Sequence, residues 1–283
     1  MIIFLGKKLL VFTDIINKKN HLSVQNTLTN NISSSLLLLL LAFSSLTHAA
    51  QSKISRVAIV IDDMGYRYTD KHALSLPGDI TYAFLPHTTY GKKLAVIANS
   101  DNHDVLIHIP MESENRKKLG PGALTSSMNK AAFNQSLTKS FAEIPFAIGI
   151  NNHMGSYLTQ LYQPMAWTMT FLKDNNLLFL DSKTSPHSKA KQAAIDFGVP
   201  VKSRQVFLDN NLTDEYISQQ FMQLINDAKK YQAAIAIAHP HPETISTLNR
   251  LIPTLKYHNI ELVPLSSLYS TTTENSPTGS VTE

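Results

Sequence analysis

Val57-Ala58-Ile59-Val60-Ile61-Asp62-Asp63-Met64-Gly65 is an apolar, β-branched run that stops at two adjacent acids and a glycine. A continuous apolar run suits a strand covered on both faces, as in a parallel α/β sheet, because neither side of the pleat then meets water. Successive side chains of an extended chain point to opposite faces, so Asp62 and Asp63 serve different roles unless the backbone turns between them. Taken alone, such a pair reads as one helix cap and one solvated acid. The placement of the other polar residues weighs against that reading.

Further runs of the same kind follow along the chain. Strands are predicted over Val57–Ile61, Ile80–Leu85, Val105–Ile109, Phe146–Ile150, Leu177–Leu180, Val206–Leu208, Ala233–Ala238 and Ile260–Val263. Helical periodicity lies between several of them. Ile217, Phe221, Leu224 and Ala228 mark one face, as do Phe133, Leu137 and Phe141, and again Met165, Met169 and Leu172 with Trp167 nearby; these are core stripes. Strands alternating with helices, without repeat or linker, predict a single α/β domain over 51–269, either a (β/α) barrel or an open doubly wound sheet. Both architectures put their working residues at the carboxyl ends of the strands.

That is where the unusual side chains collect. The first strand ends in Asp62-Asp63, the third runs through His108 to Glu112, and the fourth ends in Asn151-Asn152-His153. Asp181, Asp209 and the pair His239 and His241 close later strands. Singly, each has a structural explanation of equal weight: His108 as a hydrogen-bonded core histidine, the asparagines and aspartates as helix caps, His241 as the residue before a helix opening at Pro242. Jointly, histidines and carboxylates on one rim are what a divalent cation and an acid–base pair require. His72, His87, His103, His187 and His258 lack that placement and read as surface or packing residues.

Composition narrows the chemistry. With no cysteine, thiolate catalysis, cysteine-based zinc sites and disulfides are excluded, so a metal must be held by His, Asp, Glu or Asn. The formal charge is +4, but Lys7, Lys8, Lys18 and Lys19 stand against Asp14 alone in the first fifty residues. Of 25 basic and 21 acidic residues, 21 and 20 remain beyond them, without a basic block, which argues against a nucleic-acid partner. Residues 1–50 read as a secretory leader: lysines, then the leucine-rich core from Leu36 to Phe43, then a small-residue stretch ending at Ala49-Ala50. The core is short of the ~20 apolar residues of a membrane span, so the expectation is cleavage, export to a periplasm or beyond, and no stable membrane span; an uncleaved anchor is the competing reading. The polar stretch 270–283 is expected to be disordered.

The motifs carry a specific resemblance. Ile61-Asp62-Asp63-Met64-Gly65, His108-Ile109-Pro110-Met111-Glu112, Ile150-Asn151-Asn152-His153-Met154-Gly155-Ser156, Leu180-Asp181-Ser182-Lys183-Thr184, Arg204-Gln205-Val206-Phe207-Leu208-Asp209 and Ala238-His239-Pro240-His241-Pro242 together resemble the divergent polysaccharide deacetylases, an offshoot of the NodB-like carbohydrate esterases. The resemblance implies a single distorted (β/α) barrel of about seven strands. It implies Asp62 as general base, Asp63 and His108 as ligands of a zinc-class metal, and His239, with His241 beside it, as the acid. The family's His-x-x-x-His reads here as His108-x-x-x-Glu112, so the third ligand is Glu112 or His153, with His153 favoured because zinc is commonly held by nitrogen ligands with a carboxylate. The family's arginine-proline motif is not recognisable. Asn151, Asn152, Asp181 and Asp209 are expected to support ligands or touch substrate, the two aspartates by orienting histidines. The expected activity is metal-dependent removal of acetyl groups from an envelope polysaccharide or peptidoglycan-type glycan. The alternative is a non-catalytic glycan-binding or scaffold protein of the envelope that keeps the fold, and an exported protein of either kind has room for an envelope protein partner.

Overall fold

The computed structural model describes residues 54–269; the expected leader over 1–50 and tail over 270–283 lie outside the described residues. The chain alternates strand and helix in the order β1 (Ser55–Met64), β2 (Thr81–Phe84), α1 (Gly91–Ser100), β3 (Val105–Met111), α2 (Lys130–Glu143), β4 (Gly149–Met154), α3 (Tyr162–Asp174) and β5 (Leu178–Asp181). It continues with α4 (Ala190–Phe197), β6 (Val201–Ser203), β7 (Val206–Phe207), α5 (Asp214–Tyr231), β8 (Ala233–Ala238), α6 (Pro242–Leu251) and β9 (Ile260–Leu262). Every pairing is parallel, in the order β6-β5-β4-β3-β2-β1-β8-β7, and β9 pairs with the start of β1.

The two ends of that order meet. β6 and β7 are separated only by Arg204-Gln205: the Arg204 N–H donates to Asp181 O on β5, and the Gln205 N–H donates to Ile235 O on β8. A single interrupted strand thus closes the ring, pairing with one neighbour through its first half and the other through its second. Counted as one, it gives seven positions around a distorted (β/α) barrel, which removes the free edges an open sheet would carry.

Strand alternation sorts the apolar residues into two cores. On β1, Ala58 and Val60 face inward with Ala83, Leu106, Leu180 and Ile237, while Val57, Ile59 and Ile61 face the helices. The interior thus holds one layer of small and branched side chains, and the larger aromatics Tyr82, Phe84, Phe133, Phe179 and Phe221 lie outside it against the helices. The helical stripes pack as their spacing predicts: Ile217, Phe221, Leu224 and Ala228 on α5 are buried, as are Met165, Met169 and Leu172 on α3. Val263, Leu265 and Leu268 plug the amino-terminal mouth, fixed by the Leu265 N–H to Thr81 Oγ1 and Ser266 to Asp104. The opposite mouth, where the acids and histidines sit, stays polar.

Two differences from the sequence expectation have plain causes. β6 was not foreseen, because Val201-Lys202-Ser203 has no apolar run and its Lys202 is exposed. β1, β3 and β4 run three, two and four residues beyond the last residue of the strands predicted there, since the polar residues at the mouth belong to the strands rather than following them.

Candidate metal centre

The two aspartates share one face because the strand is bulged. Ile61 pairs with Tyr82 and Met64 with Phe84, three residues against two, so β1 carries one surplus residue at Asp62-Asp63. Asp63 takes φ 59°, a left-handed conformation uncommon for a residue with a side chain. The turn lets both carboxylates reach the barrel mouth while Ile61 and Met64 remain in the outer core. The chain then leaves through Gly65 at φ 121°, where a Cβ would meet Thr88 Oγ1 at 2.5 Å and Gly91 Cα at 2.7 Å. Buried Asp70 holds this exit: its Oδ2 accepts from the N–H groups of Gly65 (2.9 Å) and Arg67 (3.0 Å).

Asp63, His108 and His153 come together, each offering one ligand atom within 4.8 Å of the others. His108 Nε2 lies 3.1 Å and His153 Nδ1 2.7 Å from Asp63 Oδ1. Neither contact has hydrogen-bond angles, so Oδ1 is a buried oxygen without a hydrogen-bond partner. Two imidazole nitrogens converging on an orphaned carboxylate oxygen is a donor set that fits a cation, and a His-His-carboxylate triple leaves a tetrahedral ion one open position. Burial alone would raise the Asp63 carboxyl, but the two imidazoles hold it far below the usual carboxylate range. Burial likewise disfavours charge on His108, and Asp62 and Asp63 more than offset it.

Asn151 joins His108 to Asp62. Its Nδ2 donates to Asp62 Oδ1 at 2.8 Å and to Ser182 Oγ at 3.3 Å, and its Oδ1 lies 2.8 Å from His108 Nδ1. With the amide turned to serve Asp62, Oδ1 accepts the Nδ1–H of His108, which leaves the Nε2 lone pair of the neutral ring facing Asp63. Asp62 is 2 % exposed, and burial pushes its carboxyl up.

Across the mouth stands His239. Asp209 Oδ1 is 3.0 Å from His239 Nδ1, and Asp209 Oδ2 accepts from the His239 N–H (2.7 Å) and Thr244 Oγ1 (3.0 Å). Burial would lower the imidazole, but the Asp209 carboxylate bonded to it raises it to about 9. Its Nε2 faces the first aspartate pair, 3.9 Å from Asp63 Oδ2. Phe207 stacks on the ring at 5.2 Å and 28°, and the Arg204 guanidinium lies over Phe207 at 4.6 Å. Asp209, His239 and His241 also cluster within ligand distance, but both Asp209 oxygens are already engaged.

The remaining predicted residues sit elsewhere. Glu112 is not among the clustered donors; its Oε2 accepts from the Ser126 N–H at 2.7 Å. Asp181 accepts from the Lys183 N–H and Ser188 Oγ, and no hydrogen bond joins it to a histidine among the described residues, so the expected role of orienting one falls to Asp209 alone. Asn152 faces away from the donors, bonding Met154 O and the Ser182 N–H to hold the turn beyond His153. His241 precedes α6 and lines, with Asp63, Tyr66, Arg67 and His239, a pocket of about 100 Å³. Tyr66, Arg67, Asp70, Arg204 and Phe207 escaped the sequence reading as site residues. Arg204 and Phe207 lay inside a quoted motif, and Asp70, five residues beyond Gly65, fits the pattern of an acid closing a turn.

Among the described residues no helix is long and apolar enough to cross a membrane. Residues 59–269 match the family described as divergent polysaccharide deacetylase. The chain is similar to the uncharacterized protein YibQ of Escherichia coli (strain K12), 36% identical over 81% of this chain and 72% of the relative. It is also similar to an uncharacterized protein of Haemophilus influenzae (strain ATCC 51907 / DSM 11121 / KW20 / Rd), 37% identical over 76% and 77%. Of solved structures, it resembles the uncharacterized protein ATU2773 of Agrobacterium tumefaciens C58 with a TM-score of 0.74 and 25% identity, covering 77% of this chain and 90% of that one. The matched residues run from within β1 to the end of the described residues, and the chain belongs to the divergent polysaccharide deacetylase family.

Proposed function

We propose that the protein is a metal-dependent hydrolase that removes acetyl groups from an envelope or extracellular glycan, with a zinc-class ion held by Asp63, His108 and His153. The observation that carries this reading is the orphaned Asp63 Oδ1 with two imidazole nitrogens at 2.7 and 3.1 Å, beside a separate buried carboxylate and an opposed histidine. Bound there, such an ion would supply Lewis acidity, polarising the acyl carbonyl and lowering the pKa of water towards ~7. Asp62 takes the proton from the attacking water. Burial raises its pKa, which strengthens it as a base, and the Asn151 amide fixes which oxygen is free to act. As the acyl carbon gains oxygen and the C–N or C–O bond breaks, His239 gives its proton to the departing amine or alcohol. Asp209 keeps that ring protonated and aimed, and Phe207 fixes its plane. The products are acetate and the free sugar group.

The presence of His153 where the family's second histidine is missing supports catalysis over a purely binding role, because β4 supplies the second nitrogen donor and so the third ligand of the set. The leader-like segment fits an exported protein acting on periplasmic or secreted glycans. Acetate release from acetylated chito-oligosaccharides or peptidoglycan fragments, with and without chelator, tests the reading. Turnover by wild type should stop on chelation and fall about 10²–10⁴-fold in Asp62→Asn, the range expected for loss of a general base. Undiminished turnover by that variant removes Asp62 from the role.

A further inference from the structure

The amino-terminal mouth, at the other end of the barrel from the metal centre, carries a surface of its own. β1 starts there with β8 on one side and β9 on the other: Arg56 pairs with Ala233, and Ser55 with Ile260. At about 4.8 Å between neighbouring strands, the starts of β8 and β9 lie on the order of 10 Å apart. Each is reached through a sharp turn. α5 ends at Tyr231 and the chain reverses through Gln232 at φ 68°, whose carbonyl accepts the Arg56 N–H at 3.0 Å. The short 3₁₀ helix Ile252–His258 ends in the same way, through Asn259 at φ 57°. These turns bring Ile54, Tyr231 and Tyr257, far apart in the sequence, to one rim.

All three side chains stand in water. Tyr257 is 78%, Tyr231 60% and Ile54 53% exposed, and the two tyrosines are the most exposed aromatic residues among the described residues. One such residue on a surface is ordinary; three at the starts of adjoining strands have no packing role to account for them. Each ring also carries a cation. Lys230 Nζ lies 5.0 Å from the centroid of Tyr231 and Lys256 Nζ 5.0 Å from that of Tyr257, while Lys229 adds a third charge to the last turn of α5. Lysines at a helix end complement its dipole, which explains the charges locally but not the aromatic partners. Of the acids nearby, Asp227 accepts from Gln223 Nε2 at 2.9 Å and Glu261 is paired with Arg56 in the ladder, so the three lysines are not neutralised.

Tyrosine has an apolar ring and a hydroxyl that stays wet, which suits the boundary between hydrocarbon and headgroups, and a lysine stem lying along the ring delivers its ammonium to a phosphate. Ile54 is also eleven residues beyond Phe43, the last residue of the leader's apolar core, so this end of the barrel is the one tied most closely to the membrane-directed segment of the chain.

We propose that the amino-terminal mouth is a docking face for an anionic lipid bilayer surface, with Ile54, Tyr231 and Tyr257 entering the headgroup layer and Lys229, Lys230 and Lys256 meeting lipid phosphates. This holds whether or not the opposite mouth is catalytic. Ile61 stands six residues up β1 from Ser55, about 20 Å along the strand. A barrel seated on this face therefore turns Asp63, His108 and His153 away from the bilayer.

The test is co-sedimentation with vesicles of phosphatidylcholine alone and of phosphatidylcholine mixed with phosphatidylglycerol. Both hydrophobic cores and the closing strand lie within 54–269, so the chain from Gln51 onward is used, free of the leader's own affinity for lipid. It should bind the mixed vesicles, bind phosphatidylcholine far more weakly, and dissociate as salt is raised. Replacing Lys229, Lys230 and Lys256 together by Gln should weaken binding on the order of a hundredfold, about fivefold for each charge. Tyr231→Ser with Tyr257→Ser should weaken it several-fold, and both variants should keep the wild-type thermal transition because the residues are exposed. Lys92→Gln with Lys93→Gln, exposed at the start of α1 by the other mouth, removes charge elsewhere and should leave binding unchanged. Equal binding to both kinds of vesicle overturns the proposal, as does a triple lysine variant that binds like wild type or no more weakly than the Lys92 and Lys93 control. Binding to soluble dextran sulfate with none to vesicles would make the face a site for a polyanion and would likewise overturn the lipid assignment.

Discussion

Asn151→Ala tests the site at its most connected point. The side chain is fully buried and makes three contacts: Asp62 Oδ1 at 2.8 Å, His108 Nδ1 at 2.8 Å and Ser182 Oγ at 3.3 Å. A hydrogen bond to a charged carboxylate contributes about 1.5–3 kcal/mol and each of the two neutral ones about 1 kcal/mol, so the loss is about 3.5–5 kcal/mol if no water replaces the amide. A water entering the vacated, polar space would return part of it. The second effect is on the metal. Without its Nδ1 acceptor the His108 ring loses both orientation and tautomer preference, and loss of such a partner costs about 10–100-fold in metal affinity. Ser182→Ala, which removes only the longest of the three contacts, is the control and should change stability by less than about 1 kcal/mol. Urea unfolding of the metal-free protein reads the first effect, and competition with a chromophoric chelator reads the second. If Asn151→Ala keeps both the unfolding midpoint and the zinc affinity of wild type, then Asn151 does not orient His108 and the tautomer argument fails.

Three further outcomes are expected. His239 titrates at about 9, above the ~6.5 of an unfolded imidazole, so its contribution to stability is full below pH 6.5 and is lost as pH rises through 9. Asp209→Asn should bring the midpoint down towards 6.5, read by imidazole proton shifts in metal-free protein; an unmoved midpoint refutes the pairing. His153→Ala should lose bound metal, measured by elemental analysis after dialysis, while Glu112→Ala keeps it; the opposite pattern would make Glu112 the third ligand. Gly65→Ala places a methyl 2.5 Å from Thr88 Oγ1 and 2.7 Å from Gly91 Cα at a φ of 121°. It should destabilise by at least about 1–3 kcal/mol in chemical denaturation, and an unchanged midpoint would show that the turn can relax.

The parts of the fold legible in the sequence were those where burial is continuous. β1, β8 and the stripe of α5 are apolar on every residue that faces a core, so period and run length identify them. β6 was invisible because a three-residue strand at a seam needs only backbone pairing, and Val201-Lys202-Ser203 has no apolar signature. The polar residues were read at the right mouth, yet their roles depend on which way each strand's pleat points. Asn151 and Asn152 are adjacent, but only Asn151 faces the histidines. Asp181 and Asp209 both end strands, but Asp181 closes a turn while Asp209 backs His239. Phase within a strand is not readable where both neighbours are polar. The bulge at Asp62-Asp63 is the extreme case, since pairing three residues with two is a property of the partner strand.

That surplus residue gives the barrel an unusual vulnerability. Deleting one residue between Ile61 and Met64 would repair the ladder with β2 and yield a more regular sheet, leaving room for only one inward acid. Geometric perfection and chemistry are therefore in opposition at this point. A descendant shortened here by a single codon could fold as well as its ancestor, or better, with the pairing of the two carboxylates gone in one step.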